Sequence, residues 1–246
     1  MTSARWSRPD PFIYIAAIGL VAIGLVAVFS ASYTTAMREF GDPYYYIKRQ
    51  SAWAAISLAA MFAVQRIDYR LLRPLALPGL LVAFGLLILV VLIGVEVGGS
   101  RAWLDLGVMR FQPSEASKLA IVNFMAAYVA YRKEGIRKFW TGLVPALAVL
   151  AVAFGLIMLE PDFGTAVAIA ATVAIMLFAA GANLGHLVGI GLSGLPVLAF
   201  MVYTRPYRWR RITSFLDPWR DPLDSGWNVI QSLLAIGSGG LFGLGL

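Results

Sequence analysis

A chain of 246 residues that is 60% hydrophobic and only 13% charged is not a soluble domain, in which about a quarter of the residues carry charge. It has no cysteine and one histidine, which excludes disulfides, zinc thiolates and cysteine nucleophiles. The net charge of +7 does not point to nucleic acid, because no soluble basic domain exists to carry it; basic loops beside apolar spans follow from the positive-inside rule and from anionic headgroups.

Residues 1–11 are short and polar, with Arg5 and Arg8. Residues 12–29 are an uninterrupted apolar run, close to the roughly 20 residues that cross a bilayer and longer than the about 7–15 of a signal peptide core. The pattern predicts a retained first helix that ends near Ser30-Ala31-Ser32, then a polar loop over 33–50. A shorter second helix is expected over 51–64, a basic turn over 65–74 and a third span over 78–97. Gly98 and Gly99 break that span, and 98–114 reads as a second polar loop. A fourth helix over 116–131 is flanked by Glu115 and carries Lys118 in its first turn. A basic hairpin over 132–138 leads to spans over 139–159, 164–180 and 184–203. The expectation is an all-α, polytopic helical bundle with seven spans, forming one membrane domain over 1–246 with an outer loop from about 204 onward.

Seven spans place the termini on opposite sides. Lys and Arg count nine on the N-terminal side and eleven on the other. The positive-inside rule applies to short loops. Setting aside the five in the long 204–226 loop, and Lys118 within a helix, leaves nine against five. The N-terminus is therefore expected in the cytoplasm and the 204–226 loop outside.

That loop reads TRPYRWRRITSFLDPWRDPLDSG. Prolines at 206, 218 and 222 forbid one continuous helix through it. Arg205, Arg208, Arg210 and Arg211 form the best anion-binding candidate, since guanidinium pairs bidentately with phosphate and stays charged. Interfacial snorkelling would account for one or two arginines but not four in seven residues. Asp217 or Asp221, beside bound phosphates, could serve as a general base. Glu115 and Lys118 are three apart and share a helix face; they read either as an interfacial ion pair or as part of a working site. Asp162 reads as the cap of the sixth helix and as a second carboxylate for such a site. Glu115, Lys118 and Asp162 are together expected to form one buried polar cluster. His186 is given no role. The glycines at 237–245 follow no nucleotide-binding pattern and read as a flexible or re-entrant segment.

Three stretches together carry a resemblance: GGSRAWLDLGVMRFQPSEASKLAIV at 98–122, EPDFGTA at 160–166, and RPYRWRRITSFLDPWRDPLDSGWNVIQSLLAIGSGGLFGLGL at 205–246, with FSAS at 29–32. They resemble the SEDS family of bacterial shape, elongation, division and sporulation proteins, and the last is closer to the FtsW-like division and sporulation branch than to the RodA-like one. The resemblance implies a peptidoglycan glycosyltransferase of the cytoplasmic (inner) membrane that polymerises lipid II on the outer face. It implies a class B penicillin-binding protein transpeptidase as partner, with other divisome or elongasome membrane proteins. The catalytic aspartate of the family corresponds to Asp221, and Trp103, Glu115, Lys118 and Asp162 fall on other functionally sensitive positions. Glu160 stands where glutamine is common, Asp224 where glycine is usual, and Trp227 where another aromatic is frequent. The family has about ten spans, so this chain is expected to end within what would be the outer loop after the seventh.

The donor in such a reaction carries an α-linked pyrophosphate and the product linkage is β. One inversion needs a base for the acceptor hydroxyl and cations for the departing pyrophosphate. The resemblance gives Asp221 the first role and residue chemistry gives Arg205, Arg208, Arg210 and Arg211 the second, with Trp103 expected to line the substrate. A divalent cation, Mg or Mn, on Asp221 or Asp162 is a further option. The alternatives are a lipid II flippase, which needs the arginines but no base, and a non-catalytic scaffold for the division machinery.

Overall fold

A computed structural model describes residues 10–97, 100–107, 110–240 and 243. The N-terminal arginines Arg5 and Arg8, the Gly98-Gly99 break and Gly245 lie outside the described residues. The chain divides into two compact units, Asp68–Trp209 and Met1–Ile67 with Arg210–Leu246.

The second of these units begins with a helical pair. α1 (Pro11–Phe40) starts where Asp10 accepts the amide of Phe12 at 2.9 Å, with Pro11 in the first turn. It ends where Gly41 turns left-handed at φ 68°. The expected end near Ser30 is therefore corrected. The Ser32 hydroxyl donates to the Val28 carbonyl at 2.6 Å, so it is satisfied inside the helix and does not stop it. The expected loop over 33–50 shrinks to 41–44, because α2 (Tyr45–Val64) begins six residues earlier than the apolar run suggested. Lys48 and Asp42 close the turn at 2.8 Å. Stacked rings line the pair along its length: Tyr14 with Phe62, Phe29 with Tyr44, and Phe40 with Tyr45. The same unit holds most of α8 (Pro206–Leu216), a 3-10 turn (Pro218–Arg220) and α9 (Trp227–Gly239). The prolines do interrupt 204–226, but the segment is largely helical. Gly237 and Gly239 lie inside α9, which corrects the flexible reading of that part of 237–245.

The unit Asp68–Trp209 is built on α3 (Ala76–Ile93), α4 (Pro113–Arg132), α5 (Val144–Leu159), α6 (Phe163–Ala179) and α7 (Leu184–Tyr203). A π turn, Phe139–Leu143, runs directly into α5. Four of these helices each contribute a stripe to the core: Leu80 and Leu87 from α3, Ile121 and Met125 from α4, Ala153 and Ile157 from α5, Ile169, Val173 and Leu177 from α6. These repeats of four or seven residues mark one buried helix face. Ala146, Ala153 and Ala166 are fully buried, and their size lets backbones approach closely.

The expected loop over 98–114 is in part a sheet, and the third span stops short of Val97. β1 (Val95–Val97), β2 (Ser100–Asp105) and β3 (Arg110–Phe111) pair antiparallel in that order. Val95 faces Trp103, and Asp105 faces Arg110 with their side chains 3.8 Å apart. The basic hairpin at 132–138 contains a 3-10 helix, Lys133–Arg137.

Helices occupy all seven expected positions, and the fold is an all-α polytopic membrane bundle. Among the described residues, Pro11–Phe40, Ala76–Ile93, Phe139–Leu159 and Leu184–Tyr203 are long and apolar enough to cross a membrane. Phe163–Ala179 is apolar and 17 residues long, at the short end of spanning length. α2 and α4 have 20 residues each and carry their charges near their ends.

Gly142 marks a tight approach between separate backbone segments in the Asp68–Trp209 unit. A Cβ there would overlap the Gly135 carbonyl and lie 2.8 Å from the Ile136 backbone. Gly142→Leu should therefore lower stability by about 1–3 kcal/mol, read as a drop in thermal midpoint in detergent. Gly155→Ala, where a Cβ meets nothing within 4 Å, should leave it unchanged or raise it.

Candidate active site

In the unit Asp68–Trp209 the sheet, the head of α4 and the α5–α6 turn carry the polar residues. Trp103 is half-buried on β2. The Ser100 hydroxyl donates to the Glu160 carbonyl, which ties the sheet to the turn. Asp162 caps α6 as expected: its Oδ1 accepts the Thr165 amide at 3.1 Å. Its Oδ2 accepts from the Gln112 side chain at 3.4 Å, which links the turn to the residue before α4.

The buried cluster of Glu115, Lys118 and Asp162 does not form. Lys118 and Glu115 pair at 2.7 Å, but their side chains are 38% and 56% exposed. Asp162 is occupied by Thr165 and Gln112 instead. A pair so exposed contributes about 0–1 kcal/mol, against the roughly 3–5 kcal/mol at stake in a buried one.

The buried carboxylate is Glu160. It is fully buried at the C-terminal end of α5, and neither of its oxygens has a partner among the described residues. Ser114, also fully buried, has an unpartnered hydroxyl. Burial, and secondly the charge of Asp162, push the Glu160 carboxyl up to about 8. Glu160 is thus held as a neutral acid at neutral pH, sparing an unpaired buried charge. The sequence signal was an acidic residue at the end of a 21-residue apolar run.

Arg208 is not a free cation. Its guanidinium lies over the Phe163 ring at 4.9 Å and donates to the Met201 carbonyl at 3.0 Å. These contacts tie the start of α8 to the end of α7 and the start of α6. Burial first, and neighbouring Arg205 second, lower the affinity of Arg208 for its proton. Arg205, Arg210 and Arg211 are exposed.

In the unit that contains Arg210–Leu246, Asp217 and Asp224 are exposed and Asp221 is half-buried. Asp221 Oδ2 accepts two hydrogen bonds from Ser225, from the hydroxyl at 3.0 Å and the amide at 3.3 Å. Sequence reasoning gave no role of their own to Ser225 and Gly226, which follow Asp221 in the run DPLDSG.

The profile of the FtsW/RodA/SpoVE cell cycle proteins matches residues 11–246. The chain belongs to the FtsW/RodA/SpoVE family. It is 42% identical to stage V sporulation protein E of Bacillus subtilis over 248 residues, covering 100% of this chain and 68% of that protein. It is 43% identical to a probable peptidoglycan glycosyltransferase FtsW of Nitrosococcus halophilus, covering 98% and 63%. Among solved structures, RodA of Thermus thermophilus superposes with a TM-score of 0.57 at 31% identity, covering 74% of this chain and 58% of that one. A chain from a study of polymerization and crosslinking by a peptidoglycan synthase complex superposes with a TM-score of 0.66 at 34% identity, covering 90% and 65%. The chain thus spans about two thirds of the length of the curated relatives it matches.

Glu160 yields a pH prediction. Its folded pKa lies above the ordinary carboxyl value of 4.5, so the folded state holds the proton more tightly than the unfolded one. Its contribution to stability is complete below that ordinary value and is lost as pH rises towards about 8. Glu160→Gln keeps the shape and removes the titration. Its thermal midpoint should stay level between about pH 5 and pH 9 while that of the wild type falls relative to it. The variant should be the more stable of the two at the alkaline end.

Proposed function

We propose that the complete protein is a peptidoglycan glycosyltransferase of the cytoplasmic membrane, which polymerises lipid II on the outer face for division or sporulation. The relatives named FtsW and SpoVE support the activity and the branch. The observation that carries the reading is the state of Asp221: of three aspartates in the 204–226 segment, it alone is half-buried and held by a neighbouring side chain.

Asp221 accepts the proton of the acceptor sugar hydroxyl. That oxygen attacks the anomeric carbon of the donor, and the carbon–oxygen bond to the pyrophosphate breaks with its electron pair leaving on the pyrophosphate. One displacement inverts the α-linkage to β. Arg205, Arg210 and Arg211 receive the growing charge, and Arg208 holds the helix that presents Arg210 and Arg211. Trp103 supplies a flat apolar surface for the lipid-linked sugars. Among the described residues no group of three or more His, Cys, Asp or Glu gathers as metal ligands. A Mg or Mn ion would then be held as Mg usually is, by one or two carboxylates with the substrate phosphates. Asp221 and Asp162 are the two carboxylates in question: both oxygens of Asp162 are engaged, and Asp221 would not hold an ion and take the proton through the same oxygen. Such an ion would add charge stabilisation for the leaving group. A crosslinking transpeptidase of the class B penicillin-binding type is the partner, in line with the polymerization and crosslinking complex to which the chain is similar.

Asp221→Asn, in the full-length protein with its transpeptidase, should lower lipid II polymerisation by about 10²–10⁴-fold while lipid II binding persists. Arg210→Ala should weaken binding. Asp217→Asn should be mild, since Asp217 is exposed. Wild-type polymerisation by Asp221→Asn would remove the base assignment and favour the flippase or scaffold reading.

The orientation has its own test. With the N-terminus cytoplasmic, cysteine placed at Asp224 in this cysteine-free chain should react with an impermeant reagent added outside intact cells. Cysteine at Gly135 should not, and labelling of Gly135 alone would invert the topology.

A further inference from the structure

The loop that holds Asp221 is closed by three interactions, all made by the two residues that end it. The Gly226 amide donates to the Asp221 carbonyl at 2.9 Å. The Ser225 amide and hydroxyl both donate to Asp221 Oδ2. Gly226 is also the residue from which α9 departs, and its carbonyl accepts the Ile230 amide at 3.0 Å. The aspartate is thereby anchored to the start of a 13-residue helix and not left to an open loop.

Glycine is required at 226 for space and not for backbone freedom. Its φ is −82°, which any residue adopts. A Cβ there, however, would overlap the Pro218 carbonyl and lie 2.8 Å from the Asp221 carbonyl. The 3-10 turn Pro218–Arg220 thus packs directly on the Gly226 backbone, and the chain doubles back tightly enough for Ser225 to reach the carboxylate.

The two carboxylate oxygens are consequently different. Oδ2 is held by two donors from one residue, whereas Oδ1 accepts no hydrogen bond among the described residues. A free carboxylate can flip about its terminal torsion, which is broad and roughly two-fold. Two donors on one oxygen hold it in one of the two states. We infer that Ser225 is a positioning residue for the reaction: it pins Oδ2 so that Oδ1 is the oxygen that takes the acceptor hydroxyl proton. In the step, the O–H bond of the acceptor breaks and an Oδ1–H bond forms, while the acceptor oxygen bonds to the anomeric carbon and the pyrophosphate leaves with its electron pair. Ser225 donates throughout and gives up no proton. The inference rests on Asp221 being the base, and it assigns which atom does the work and what aims it.

The consequence is kinetic. A carboxylate that is present but not aimed binds substrate as before and turns over slowly, since misplacement by about 1 Å costs on the order of 10²-fold. Substitution at Ser225 should therefore act on kcat and leave KM alone.

The test uses a shape-matched pair in the full-length protein with its transpeptidase, assayed on lipid II. Ser225→Thr keeps the hydroxyl and Ser225→Val replaces it by a methyl group of the same outline. The threonine variant should polymerise within about 3-fold of wild type, and the valine variant should lose about 10–100-fold in kcat with KM unchanged. Because the two share a shape, a folding defect from the added branch affects both, and the ratio of their rates isolates the hydroxyl. Equal rates in the pair, whether high or low, would overturn the role of the hydroxyl. A loss in the valine variant expressed in KM alone would overturn it too, by making Ser225 a substrate contact. Asp221→Asn in parallel separates the two levels. If it is inactive while the pair is equal, the base assignment stands and the positioning falls. If it retains wild-type rates, both fall together.

Discussion

The constraint on which this structure depends is that a chain in hydrocarbon must satisfy its backbone N–H and C=O groups within itself. Helices of 17 to 30 residues do so here, and they leave the chain free to be irregular only where the helices end. The polar chemistry collects at those ends. The sheet over β1–β3, the Glu160–Asp162 turn and the stretch between Leu216 and Trp227 are all short breaks between helices. Each break is tied by side chains to a helix terminus: Asp162 to the amide of Thr165 in α6, Ser100 to the carbonyl at the end of α5, and Asp221 to Ser225 just before α9. The sites therefore inherit the rigidity of the helices beside them.

The same economy of charge explains which ionisable groups are buried. The ion pair of Glu115 and Lys118 sits on the exposed side of α4, whereas the buried stripe of that helix begins with Ser114 and Ser117 and continues through Ile121 and Met125. Hydroxyls can enter such a stripe at modest cost, and full charges cannot. Glu160 is the exception, and it enters by taking a proton. As a neutral acid it is close to a glutamine in shape and hydrogen-bonding capacity, and glutamine is the residue the family resemblance places there. The exchange of one for the other then changes the pH response of the turn more than its geometry.

Much of the architecture was legible in the sequence, because apolar runs of spanning length have few other uses. The seventh span was read to the residue, Leu184–Tyr203, since Asn183 before it and the polar Thr204-Arg205-Pro206 after it leave no choice. The misreadings share one cause, which is that local polarity was taken for the end of a helix. Ser30, Ser32 and Thr34 are polar by composition but lie within α1, where a hydroxyl can bond back to the preceding turn. Tyr45 to Gln50 are mostly polar and still helical, with Phe40 stacked on Tyr45 at their start. The strands were missed for a different reason. Segments of two to six residues carry too little periodicity to register, and their pairing is a tertiary fact.

The arginines show most plainly what sequence could and could not supply. Four guanidiniums in seven residues suggested one anion site, and they are not equivalent. At 100° per residue, Trp209, Ile212 and Leu216 share one face of α8, with Phe215 beside them, and all four are exposed. Arg210 and Arg211 lie on the other side, the pattern of a helix along a membrane surface. Arg208 falls among the apolar residues, where a free charge would be costly, and the ring of Phe163 and the Met201 carbonyl take up its guanidinium. Spacing on the helix separates Arg208 from Arg210 and Arg211, but only the partners show that it tethers. A cation spent on tethering has fewer donors left for phosphate. In the proposed reaction Arg208 therefore acts through the helix it anchors, a few residues before the loop that fixes Asp221, and not as one more equivalent member of the arginine cluster.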